Sequence, residues 1–260
     1  METIQIEKNN QIATVVLNRP ELHNAFNDVM IGELTEAFNQ LSSDDDLRLI
    51  VLKGEGKSFC AGADLNWMRS MKDYSFEENY QDSQKLRSLF EAIDFAPVPV
   101  IGAVHGHALG GGVGLVCVCD YVLASDRAKL GFTEVKLGLI PAVISPFCFK
   151  KIGASNARAY FLSGEVFSSE IAKQIGLVHQ VVERDNFDEA LENVISRYLL
   201  AGPQAAREAK KLYRELESGR EDIGSYTCQA IAKLRISEEG QEGMTSLLSK
   251  RSPTWVGGHS

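Results

Sequence analysis

Apolar positions along this chain alternate between two periods, and the changes of period mark out its elements. Ile4-Gln5-Ile6 and the run Ile12–Leu17 flank Asn9-Asn10-Gln11, which predicts a β-hairpin. From Asn27 to Leu41, the positions of Met30, Ile31, Leu34, Phe38 and Leu41 fall on one helix face, and Asn27 is placed to cap it. Leu47–Leu52 is an apolar run of strand length, left through the loop Lys53–Lys57. Phe76–Ile93 predicts a second amphipathic helix, Val98–Val104 a buried strand, Gly112–Cys119 a helix and Tyr121–Ala124 a further strand.

This order of strands and helices predicts an α/β fold with covered sheets. From Ser155 onward the pattern is helical, over Asn156–Leu162, Ser168–Gln174, Phe187–Leu200, Pro203–Leu216 and Ile223–Leu248 with a break, interrupted only by a short strand at Leu177–Val182. The expected organisation is an α/β core over residues 1–200 that carries the chemistry, followed by a helical region over residues 201–260. Leu247 and Leu248 in that region require a covering surface, either the chain's own core or a neighbouring subunit.

Composition narrows the class. The 260 residues are 44% hydrophobic and 24% charged, the mix of a globular protein with ample core. A formal net charge of -8 argues against a nucleic-acid partner, and any anionic ligand has to be held by local charge. The five cysteines lack paired metal spacing and read as free thiols in a reducing compartment, with no metal site. No stretch resembles a secretion signal or is long enough to span a bilayer, so a cytoplasmic protein without a membrane partner is expected.

Three elements could carry chemistry. In Ala108-Leu109-Gly110-Gly111-Gly112-Val113-Gly114-Leu115 a glycine triplet follows a strand and opens a helix. The first N–H groups of a helix have no internal partner, and without side chains in the way an oxygen can approach them. Ser58-Phe59-Cys60-Ala61-Gly62-Ala63-Asp64-Leu65 is a second glycine-containing turn after a strand. Two exposed N–H groups from separate loops, converging on one oxygen, are what a thioester enolate or tetrahedral oxyanion needs. The third element, Gly131–Pro141, places Glu134 among apolar residues, where desolvation raises a carboxyl pKa and suits it to general acid–base work. His105 and His107 flank the glycine turn, and neither is expected to act as a base.

Together with Asn18-Arg19-Pro20, Asn24-Ala25-Phe26, Phe132-Thr133-Glu134, Asp120 and Gly176-Leu177-Val178, these elements make the chain resemble the enoyl-CoA hydratase/isomerase (crotonase) superfamily over nearly its whole length. The resemblance implies stacked ββα units, a C-terminal helical region used in trimerisation, and a homotrimer or dimer of trimers. It places an oxyanion hole on the backbone N–H groups of Ala63 and Gly111 and a catalytic acid at Glu134. It puts Ala25 against the CoA adenine and Ala61, Asp64, Leu65, Gly110 and Pro141 in the surrounding CoA and substrate site, with Asp64 chiefly fixing its loop. CoA is then part of the substrate, and no separate cofactor is implied.

Hydratases of this family with two acids place the first of them two residues past Gly112, where this chain has Gly114. Glycine inside a helix costs roughly 0.5–1 kcal/mol relative to alanine. Two readings are open: close helix packing, or room for a bulky acyl group or water. The runs Ala63–Met68, Gly112–Leu115 and Gly138–Pro146 are similar to bacterial methylglutaconyl-CoA and isohexenylglutaconyl-CoA hydratases, which implies a branched, carboxylated enoyl-CoA. Arg69, Lys136, Lys150 and Lys151 are then candidates to meet a distal carboxylate. With one acid, a double-bond isomerase and a silent CoA-ester-binding protein are the alternatives to a hydratase.

Overall fold

The computed structural model of the chain describes residues 1–256, so the end of the predicted 201–260 region, Gly257–Ser260, lies outside the described residues. The predicted hairpin forms from β1 (Ile4–Asn9) and β2 (Ile12–Leu17), paired in register from Ile4 with Leu17 to Asn9 with Ile12. Helix α1 (Asp28–Ser42) is capped by the Asn27 side chain, which accepts from the Met30 N–H at 2.9 Å. Its buried face carries Met30, Ile31, Leu34, Ala37, Phe38 and Leu41.

One plan then repeats: a strand in a large sheet, a short strand in a small sheet, and a helix. The first repeat is β3 (Leu49–Gly54) and β4 (Ser58–Cys60) with α2 (Leu65–Ser70) and α3 (Phe76–Asp94). The second is β5 (Val100–Val104), β6 (His107–Leu109) and α4 (Gly111–Cys117). The third is β7 (Tyr121–Ser125) and β8 (Lys129–Gly131), a 3-10 turn over Thr133–Leu137, and α5 (Ser145–Ser163). Strand β9 (Val166–Ser168), α6 (Ser169–Gln174) and β10 (Gln180–Val182) complete the sheets. The large sheet runs β1-β2-β3-β5-β7-β10 and the small one β4-β6-β8-β9. This is the stacked ββα architecture expected from the resemblance.

The described chain divides into two compact units, Met1–Ala96 with Val100–Leu191, and Pro97–Pro99 with the described residues from Glu192 onward. The second unit holds the end of α7 (Phe187–Leu199), then α8 (Pro203–Glu217), α9 (Ile223–Ile236) and α10 (Glu238–Leu248). Glu239 accepts from the N–H groups of Gln204 and Ala205 at 2.8 Å each and so caps the start of α8. Leu247 and Leu248 remain 78% and 84% exposed, so nothing among the described residues covers them.

Besides the predicted strand Leu177–Val182, which forms only over Gln180–Val182, the structure departs from the pattern-based reading at two places. Helix α5 starts at Ser145 and not at Asn156. Pro146 lies in its first turn, where proline is tolerated because its missing N–H has no partner to lose. Gly153 (φ 74°, ψ 166°) then breaks the helical register inside α5, which leaves a regular period visible only from Asn156 onward. The small sheet is the second departure. Its strands span three residues each, too few to show a period of two.

Candidate active site

The small sheet brings the three chemical elements to one edge. Strand β4 pairs in parallel with β6 (Ser58 with His107, Cys60 with Ala108), and β6 in parallel with β8 (Ala108 with Leu130, Leu109 with Gly131). Parallel neighbours end on the same side, so Ala61–Ala63, Gly110–Gly112 and Thr133–Glu134 all leave from the carboxyl ends of adjacent strands. Ligands of α/β sheets collect at such ends.

Glycine geometry sets how closely these segments approach. A β-carbon on Gly112 would lie 2.3 Å from the Cys60 carbonyl oxygen, and one on Gly62 would lie 3.1 Å from that of Leu109. Gly110 has φ 52°, a conformation natural to glycine, and donates its N–H to the Gly131 carbonyl at 2.9 Å. The N–H groups of Ala63 and Gly111 have no acceptor among the described residues.

Phe26 joins the two positions. Its N–H donates to Gly62 and its carbonyl accepts from Asp64, both at 2.7 Å, which pairs it across Ala63. Its ring lies against Gly111, where a β-carbon would meet Cε2 at 3.0 Å. The segment that carries Phe26 is pinned by Asn24. This buried side chain accepts from the Arg19 N–H at 2.8 Å and donates to the carbonyls of Glu55 and Ser58 at 2.9 and 2.8 Å.

Glu134 opens the 3-10 turn and reaches back to the glycine turn. A β-carbon on Gly110 would lie 3.4 Å from its Oε1. Its Oε2 is buried without a hydrogen-bond partner. Burial pushes the Glu134 carboxyl above its ordinary value, and a bond to its own backbone offsets only part of this. A partly buried carboxyl with one free oxygen and a raised pKa can exchange protons with a substrate.

Gly114 is packed, not open. A β-carbon there would lie 2.5 Å from Ile144 Cγ2 and 2.8 Å from Phe90 Cζ. Space for an acyl group or water at this position is therefore excluded, and the close-packing reading describes it, with side chains as the neighbours.

Asp64 anchors the turn. It caps α2 by accepting from the N–H groups of Asn66 and Trp67 at 2.7 and 3.3 Å, and pairs with Arg19 at 2.8 Å. Burial acts to raise its carboxyl, but the bonds from Arg19, Asn66 and Trp67 outweigh burial and hold it below its ordinary value. Ala25 gives its carbonyl to Arg19 at 2.7 Å, and Ala61 donates its N–H to His23 at 3.0 Å. Leu65 is 71% exposed beside this turn, and Pro141 is buried in the loop after Glu134.

Among the candidate cations, Arg69 donates to Asn66 at 2.7 Å, and Lys151 donates to the carbonyls of Val116 and Cys119 at the end of α4. Lys136 and Lys150 are exposed. His105 is buried with Nε2 against the Gly56 carbonyl at 3.0 Å, whereas His107 is exposed. The packing of Phe26 against Gly111 and of Phe90 and Ile144 against Gly114 escapes sequence reading, because each looks like ordinary core. Gly114 is the only signal for the last two.

Known proteins resemble the chain in both sequence and fold. The sequence profile of the enoyl-CoA hydratase/isomerase family matches residues 7–258. Crotonyl-CoA hydratase of Syntrophomonas wolfei is 31% identical over 98% of both chains. The crystal structure of an enoyl-CoA hydratase from Shewanella pealeana is 39% identical, with a TM-score of 0.92 over 98% of this chain and 96% of the other. AtuE of Pseudomonas aeruginosa is 32% identical, with a TM-score of 0.95 over 98% of this chain and 100% of the other. With the ββα stack in place and the family profile matching residues 7–258, the chain belongs to the enoyl-CoA hydratase/isomerase family.

Proposed function

We propose that the protein hydrates a 2-enoyl-CoA thioester. The observation that carries this reading is the buried, half-unpartnered Glu134 carboxyl beside a turn whose Gly111 N–H, with that of Ala63, has no acceptor among the described residues. The thioester carbonyl oxygen accepts from both N–H groups, which stabilise negative charge as it develops. Water adds through its oxygen to the β-carbon, and its proton passes to Glu134. The π-electron pair moves onto the carbonyl oxygen as an enolate. The enolate then collapses, and Glu134 returns the proton to the α-carbon. One carboxylate serves both steps, and a raised pKa suits a group that must take a proton and give it back. The reaction so written uses neither metal nor redox cofactor, and CoA enters as part of the substrate.

The finer reading is a branched or carboxylated acyl group such as 3-methylglutaconyl, supported by similarity around Ala63–Met68 and Gly138–Pro146. Ala25, Ala61, Asp64, Leu65, Gly110 and Pro141 then form the surrounding CoA and substrate site. A homotrimer or dimer of trimers would cover Ile236, Leu247 and Leu248, which are 81%, 78% and 84% exposed. A cytoplasmic setting fits a chain in which no described helix is long and apolar enough to cross a membrane.

Gly114 favours a second reading, double-bond isomerisation, in which Glu134 shuttles one proton between two carbons of the enolate and no water is held. Steady-state assays with crotonyl-, methylcrotonyl- and 3-methylglutaconyl-CoA decide between them. Hydration that Glu134→Gln abolishes is the expected result. Isomerisation of a 3-enoyl-CoA without any hydration overturns the hydratase reading, and CoA-ester binding without turnover identifies a silent binding protein.

A further inference from the structure

Gly114 stands one helical turn from Gly110, the residue that faces Glu134, and its N–H donates to the Gly110 carbonyl at 3.3 Å. The face of α4 that meets the carboxylate at one level thus meets Phe90 and Ile144 at the next. Phe90 is fully buried and Ile144 is 2% exposed. Both are held firmly. Phe147, on α5 just beyond Ile144, sets its ring 5.9 Å from that of Phe90. The loop from Glu134 to Ile144 is braced by the Leu139 N–H, which donates to the Glu134 carbonyl at 3.1 Å. Acid and apolar stop therefore sit on one short, tied segment.

We infer that Phe90 and Ile144 close the site one helical turn behind Glu134 and fix the length of acyl chain it accepts. The class of substrate is a short acyl thioester, whose bulk lies near the reacting carbons. The inference rests on the reading of this site as an acyl-thioester site. Glycine at 114 is what admits the two side chains, since any β-carbon there would displace them. Both side chains are apolar, so the closure they form selects by size and not by charge.

The test compares wild type with Phe90→Leu, Ile144→Val and the double variant on crotonyl-, hexenoyl-, octenoyl- and decenoyl-CoA. Wild-type kcat/KM should fall by roughly tenfold or more along the series. The double variant should raise the ratio of octenoyl- to crotonyl-CoA by roughly tenfold. A ratio is insensitive to partial loss of folded protein, and Ile144→Val alone gives the same readout if the double variant does not fold. Equal wild-type rates along the series overturn the inference, as does a folded variant with the wild-type ratio. If wild type turns over none of these compounds, the functional reading fails, and affinities for saturated butyryl- to decanoyl-CoA decide the inference separately. Affinity that falls with length in wild type and levels out in the variant supports it, and affinity independent of length overturns it.

Discussion

The ring of Phe26 lies directly against Gly111, so that a single added carbon at Gly111 would come within 3.0 Å of it. The backbone of the same phenylalanine is paired across Ala63. One core residue thus sets the spacing between the two N–H groups assigned to the oxyanion, and it does so without being near enough in sequence to either to reveal the link.

Gly111→Ala should therefore lower kcat more than it raises KM, because the new methyl pushes the turn away from Phe26. Removing one oxyanion donor costs roughly 10²–10³ in kcat, and a displaced one should cost part of that, about tenfold or more. Phe26→Leu in the same background should recover some of the loss. Kinetics of the two single variants and the double variant give the coupling, and strictly additive effects would contradict the arrangement.

Replacing Glu134 by glutamine should reduce turnover by about 10²–10⁴-fold with the fold intact. The pH profile of kcat/KM should decline on the acid side about a midpoint above that of an ordinary glutamate. Stability should move the other way. A group whose folded pKa is raised keeps its proton longer when folded, so wild-type stability declines as pH rises from the ordinary value through the raised one. Glu134→Gln should thus be more stable than wild type above that window and equal to it below. Denaturant titrations at both ends check the sign.

Gly114→Ala should destabilise the protein by about 1–3 kcal/mol, the range for overpacking a core, although alanine is the better helix former. Combining it with Ile144→Val should return part of the loss. An unchanged unfolding midpoint in Gly114→Ala would mean that Phe90 and Ile144 yield easily.

The Arg19–Asp64 pair is nearly buried, with side-chain exposures of 14% and 7%, so removing one partner should cost about 3–5 kcal/mol. Arg19→Met strands a charge and should be the more harmful change at neutral pH. Asp64 is held below its ordinary pKa, so the stability it adds is present above about 3.9 and is lost as pH falls through the lowered value. Acid unfolding of Arg19→Met should consequently show a smaller component of this kind, with only the share from the Asn66 and Trp67 N–H groups left, which thermal melts from neutral to strongly acidic pH would reveal.

Most of the large sheet and the helices could be read from periodicity, since β5 is apolar throughout and α1 shows a clear face. The two glycine turns and Glu134 stand out locally, as unusual glycines and an acid in an apolar run, while the choice of Ala63 and Gly111 within those turns comes from the family resemblance. Their convergence could not. It depends on parallel pairing among strands too short to have a pattern, and on Phe26, Phe90 and Ile144, whose letters say only that they are buried. Gly114 illustrates the limit best: its identity signals that something approaches closely, while what approaches comes from α3 and from the loop ahead of α5.

The small parallel sheet has a consequence for how this protein can change over time. The groups that would hold the enolate belong to the main chain, so drift in side-chain identity leaves them in place as long as the glycines and the strand pairing persist. In the proposed reaction, what happens to the enolate afterwards depends on very few side chains, Glu134 foremost. Such a division separates an inherited, durable half of the chemistry from a replaceable half, and a new reaction can arise from one or two substitutions without rebuilding the site.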